Sequence, residues 1–180
     1  MKVVSNTSPI MNLAVIGEVE LLQKLYGQIL IPEAVGKELE FLGERHAELK
    51  DLVTLNWIQR VPVQNQAFVK ALQAVLDEGE AEAIALAAEI GADLLLMDER
   101  RGRKVCERLG IKVLGLVGVL LEAKRRKVLK EIKPFLDALV HRAGFWLSRS
   151  VYLRALQEAG EEAGEIEGFS CGDGGAVSFL

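Results

Sequence analysis

Short apolar runs alternate with helix-period segments along most of this chain. Residues 2–5, 28–31 and 93–97 are apolar and rich in β-formers, and 112–114 repeats the pattern in fewer residues. Helical patterns separate most of these runs, which predicts βα units around a parallel sheet. "QILIPEAVGKELEFL" shows the grammar: a strand, then Pro32 at a helix start where its missing N–H costs nothing, then Ala34, Val35, Leu39 and Leu42 at helical spacing. "WIQRVPV" reads as an edge strand, because Pro62 could not donate to an interior ladder. "NQAFVKALQAVL" and "GEAEAIALAAEIG" read as two helices meeting at Asp77 to Gly79, the second stopping at Gly91 as a C′ glycine requires. The continuous apolar run in "ADLLLMD" then fits an interior strand covered on both faces. Further helices follow through "RKVCERLG", "VGVLLEAKRR", "IKPFLDALVHRAG" and "SRSVYLRALQEAG", with one short strand among them. The class is α/β, with a central parallel sheet of four to five strands.

Length and composition refine this picture in few places. A chain of 180 residues, half of them hydrophobic, can bury one sizeable core. We expect one domain over 1–159 and, from Gly160, a Gly-rich acidic tail without helical or strand period that stays outside the core. The first strand begins at residue 2, and no uncharged apolar stretch is long enough to span a bilayer, so the expected location is the cytoplasm. Cys106 and Cys171 share no metal-ligand spacing and read as reduced thiols. The net charge of −4 argues against one large nucleic-acid-binding surface, yet Arg100, Arg101, Arg103, Lys104 and Arg108 form one basic cluster and residues 124–133 a second. Solvated helix faces explain such runs as well as phosphate contacts do.

Chemistry concentrates at the strand ends. In an open parallel sheet, loops and helix N-termini converge beyond the carboxyl ends of the strands. Asn6 ends the first strand and Asp98 the 93–97 strand. Glu80 shares its helical row with Ala83, Ile84 and Ala87, and Glu38 lies in line with Val35 and Leu42, whereas Glu78 and Glu82 share the apolar row less fully. Carboxylates on apolar rows are costly unless compensated, and a hard divalent cation would compensate them. Each has a plainer reading. Glu80 could serve the helix macrodipole, Asp98 could cap the next helix, Glu38 could pair with Lys37, and Asn6 could be a turn or cap residue.

At these four positions the chain resembles the PIN domain, the nuclease fold of the VapC-type toxins, and most closely the PIN-like group described as a domain of unknown function. "VVSNTSPIMNLA", "LIPEAVGKEL", "GEAEAIALAAEIGADLLLMDERRGRKVCERLGIKVLGLVGVLLEAK" and "FLDALVHRAGFWLSRSVYLRALQEAGE" resemble that group's blocks in order. The resemblance implies a three-layer αβα sandwich and an acidic pocket that binds Mg²⁺ or Mn²⁺ to cut RNA. It places the metal-binding, catalytic set at Asn6, Glu38, Glu80 and Asp98, a steadying hydroxyl at Thr7 or Ser8, and an additional acid at Glu99. Asn6 stands where the family has aspartate, which leaves three formal charges in place of four. Arg100, Arg101, Arg103 and Lys104 would hold RNA phosphates beside the metal. The likeness further implies a homodimer and an antitoxin partner. No organic cofactor is expected, since the first βα turn lacks the glycines a dinucleotide needs.

Overall fold

The structure, a computed structural model, describes residues 1–164. Its contacts divide the chain into two compact units, Met1–Leu116 and Val117–Leu180, where the sequence reads as one domain over 1–159. The tail expected from Gly160 lies, beyond residue 164, outside the described residues, and so does Cys171.

Five parallel strands form the sheet of the first unit: β1 (Val3–Ser5), β2 (Ile29–Ile31), β3 (Ile58–Arg60), β4 (Leu94–Leu96) and β5 (Val113–Leu114), in the order β3-β2-β1-β4-β5. The edge strand read from "WIQRVPV" is β3, which ends before Pro62. Every residue of β1 and β4 is buried, which is why these strands are apolar throughout except at Ser5, whose hydroxyl donates to the Asn6 carbonyl. One row crosses the whole sheet in register, Val113, Leu95, Val4, Leu30 and Gln59, and it turns polar only at the β3 edge.

The intervening helices are α1 (Thr7–Val15), α2 (Glu20–Tyr26), α3 (Glu33–Arg45), α4 (Gln66–Leu72), α5 (Glu78–Ile90) and α6 (Arg100–Leu109), with two 3-10 turns at Ala47–Leu49 and Leu52–Thr54. From β1 the strands proceed outward to β2 and β3, then return across β1 to β4 and β5. Right-handed crossovers on a sheet that reverses direction put helices on both faces, giving the three-layer αβα sandwich. On one face Val4, Leu95 and Met97 share a core with Val69, Leu72, Leu76, Ile84, Leu86 and Cys106. Burial there pushes the Cys106 thiol up to about 12, so it packs as an inert apolar group.

The starts and stops follow local chemistry. Asp77 and Glu80 form a reciprocal capping box at the start of α5, and Gly91 ends the helix in the left-handed region at φ 60. Pro32 precedes α3 and offers no side-chain cap of its own.

In the second unit, α7 (Leu116–Arg125) is followed by α8 (Lys133–His141) and α9 (Arg149–Ala159). Asp137 accepts from Tyr152 Oη at 2.5 Å and from Lys133 Nζ at 2.8 Å, tying α8 to α9. Glu161 accepts from Lys124 Nζ at 2.6 Å and from the N–H groups of Ile132 and Lys133 at 2.7 and 3.0 Å, so this acid binds the start of α8. Among the described residues no helix is long and apolar enough to cross a membrane.

Candidate acidic site at the switch point of the sheet

The strand order reverses between β1 and β4, and in such sheets ligands bind in the crevice beyond the carboxyl ends of those two strands. Asn6 leaves β1 there, its N–H donating to the Leu96 carbonyl at 3.0 Å. It occupies the N-cap position of α1, yet its side chain caps nothing. Instead Nδ2 donates to Glu99 Oε2 at 3.1 Å, linking the end of β1 to the residue that opens α6. Turn and cap chemistry therefore does not account for this asparagine.

Glu38 arrives from the second turn of α3. Thr7 Oγ1 donates to its Oε2, and the carboxylate lies so close over Gly79 that an added Cβ there would collide with it. The family resemblance puts the hydroxyl that steadies the first ligand at Thr7 or Ser8. Thr7 serves Glu38, while Ser8 accepts from Asn12 one turn along its own helix. Glu80 is buried, and its Oε2 accepts from the Asp77 N–H at 3.0 Å, so the plainer capping role and membership of the acid group hold together. Burial raises the Glu38 carboxyl above the ordinary range against the lowering effect of Thr7, and Asp77, Glu78 and Glu99 push it further up. Glu80 is raised by burial first, then by Asp77, Glu99 and Glu38. Glu38, Glu80 and Glu99 are thus close enough to repel one another.

Asp98 departs from expectation. The sequence pattern puts the strand-end acid of the pocket at Asp98, but its Oδ1 accepts from the Leu116 N–H at 2.8 Å, and the charges that act on it are Glu99 and Arg103, not Glu38 or Glu80. Among the described residues its buried Oδ2 has no hydrogen-bond partner. Burial raises this carboxyl to about 7, with Glu99 adding to the rise while Leu116 and Arg103 oppose it. The pleat gives the reason: Val4 pairs with Leu95, Asn6 shares the parity of Val4, and Glu99 shares that of Leu95, which leaves Asp98 on the opposite face. Of the basic residues, Arg100, Arg101 and Lys104 are exposed on the first turns of α6, whereas Arg103 is half-buried toward Asp98 and Gly115. A cavity of about 560 Å³ lies at the other end of α3, lined by Arg45, His46 and Lys50 among others, and takes in none of the four acids.

Among the described residues no three carboxylate, imidazole or thiol groups stand close enough to hold a metal ion together. The donor type nonetheless fits a hard cation. Asn6, Glu38, Glu80 and Glu99 bring only oxygens as ligand atoms, and the mutual repulsion of the acids is what a divalent charge relieves.

A doubly wound parallel sheet with acidic side chains at its switch point defines an α/β protein with an acidic crevice beyond the carboxyl ends of its strands. A family model, DUF3368, described as a PIN domain, matches residues 2–161, and the chain belongs to the PIN-domain family. PIN domains are generally nucleases and typically use divalent metal ions. No curated protein matches the chain.

Proposed function

We propose that this protein is a Mg²⁺- or Mn²⁺-dependent endoribonuclease of the VapC type, with Glu38, Glu80 and Glu99 as charged ligands that the ion would draw together and Asn6 as a neutral one. The observation that carries the reading is the Asn6–Glu99 bond across the switch point, beside two further glutamates, Glu38 and Glu80, each raised first by burial and then by neighbouring acids that include Glu99. When bound, a divalent cation would acidify water and stabilise the charge that builds on the phosphoryl oxygens. Arg100, Arg101 and Lys104 hold the phosphates flanking the scissile bond. Placing arginines in the first turn of α6 opposes the helix macrodipole, and an anion there would offset that cost. In the cell the protein would act in the cytoplasm as the homodimeric toxin of a toxin–antitoxin pair.

Asn6, together with the absence of a preassembled three-ligand cluster among the described residues, supports a second reading, a PIN fold that binds nucleic acid or protein without cutting. Purified protein, single-stranded RNA and Mn²⁺ separate the two. Wild type and Asp98→Asn should both cleave, and Glu99→Gln should lose about tenfold or more. Cleavage that survives Glu99→Gln but not Asp98→Asn would return the strand-end role to Asp98. Cleavage absent from wild type and gained by Asn6→Asp would favour the binding module.

A further inference from the structure

Glu82 takes part in none of the chemistry above, yet it is 9% exposed and no basic side chain pairs with it among the described residues. Its Oε2 accepts from the Ala34 N–H at 2.8 Å. Ala34 is in the first turn of α3, where Pro32 supplies no side-chain cap, so a carboxylate from α5 satisfies a donor that the helix's own sequence leaves open.

The placement of that bond matters more than its strength. Ala34 and Glu38 lie one turn apart on α3, and Gly79 and Glu82 lie one turn apart on α5. The two helices therefore meet at consecutive points, the Glu82–Ala34 bond and the seat of the Glu38 carboxylate on Gly79. Together these two points restrain how one helix can slide and turn on the other. Glu80 sits between them in sequence, on the same turn of α5.

We infer that Glu82 is a positioning residue: by capping α3 from α5 it sets the register of the two helices and so the separation of the Glu38 and Glu80 carboxylates. Its consequence for metal rests on the proposed cation site, but the register itself does not.

Two measurements test it on the full chain. The first is a double-mutant cycle in metal-free protein, with urea unfolding of wild type, Gly79→Ala, Glu82→Met and the double variant. Methionine keeps most of the volume and removes the acceptor. With the register fixed, the Cβ of Gly79→Ala collides with Glu38; with Glu82→Met, α3 can shift away, and the Gly79→Ala penalty should fall to about half or less. The second is calorimetric titration with Mn²⁺ alone. Glu82→Met should weaken binding about tenfold or more, while Glu82→Gln, which still accepts from Ala34, stays within about threefold of wild type. If Glu82→Met does not fold, Glu82→Ala, which admits water to the Ala34 N–H, takes its place in both. Additive penalties in the cycle would overturn the inference, as would wild-type Mn²⁺ affinity in the methionine variant. Non-additive penalties in a wild type that binds no Mn²⁺ would uphold the register and sink the metal reading.

Discussion

Asp98 should make the protein lose stability as pH rises, and replacing it with asparagine should remove that loss. Its carboxyl is raised from 3.8 to about 7, chiefly by burial, with Glu99 adding to the rise and Arg103 and the Leu116 N–H opposing it. The sign follows from where the proton sits. With the folded pKa above the unfolded one, the folded state holds its proton longer, so the unfolded state gains from ionising first. Stability is lost as pH climbs from the unfolded value to the folded one and levels off above it. For a shift of this size, the loss between about pH 5 and about pH 8 comes to about 3 kcal/mol. In Asp98→Asn the amide oxygen can still accept from Leu116, and any cost of burying the NH₂ group is the same at every pH. Urea unfolding of metal-free protein over this range should therefore give a curve shallower than wild type by about 3 kcal/mol. Glu38 and Glu80, which are also raised, contribute a slope in the same direction to both proteins. Parallel curves for the two proteins would refute the burial of an ionisable carboxyl at this position.

Three further outcomes follow from the same contacts. Thr7→Val removes the hydroxyl donor to Glu38 and should cost about 1–3 kcal/mol where Glu38 is ionised; because the bond lowers the Glu38 pKa, the difference should shrink as pH falls through that pKa, which thermal melts at several pH values would reveal. Asn6→Asp replaces the donor to Glu99 with a like charge, so the metal-free melting temperature should drop, on a cost of about 1–3 kcal/mol, and added Mn²⁺ should raise it more than it raises wild type. Tyr152→Phe deletes the 2.5 Å bond to Asp137 and should destabilise the chain by about 1–2 kcal/mol in urea unfolding.

The architecture was legible because burial on both faces leaves strands as continuous apolar runs, and β2, β4 and, up to Ser5, β1 are such runs. Even β3, marked only by a β-rich stretch ending at a proline, lies where that proline puts it, at the sheet edge. Counting helical rows found Glu38 and Glu80, since each is set on a face that is otherwise apolar. The same counting passed over Glu82. Row arguments assume a helix with a wet side, and α5 is buried from Gly79 to Ala87 without a break, so no residue of its first two turns after Glu78 is assigned to solvent by its row.

The choice between Asp98 and Glu99 lies deeper in the same logic. Both carboxylates follow a buried strand, and nothing in their neighbours separates them. What separates them is inter-strand register, because side chains alternate faces and only the pairing of Val4 with Leu95 tells which parity of β4 shares a face with Asn6. A one-residue change in that pairing would exchange the two acids, sending Glu99 toward Leu116 and Asp98 to Asn6. Which strand-end acid meets Asn6 is thus a property of β1 against β4 and not of either segment. An asparagine at position 6 is legible as a departure from the aspartate pattern, but its bond to Glu99 emerges only when the two strands are laid side by side.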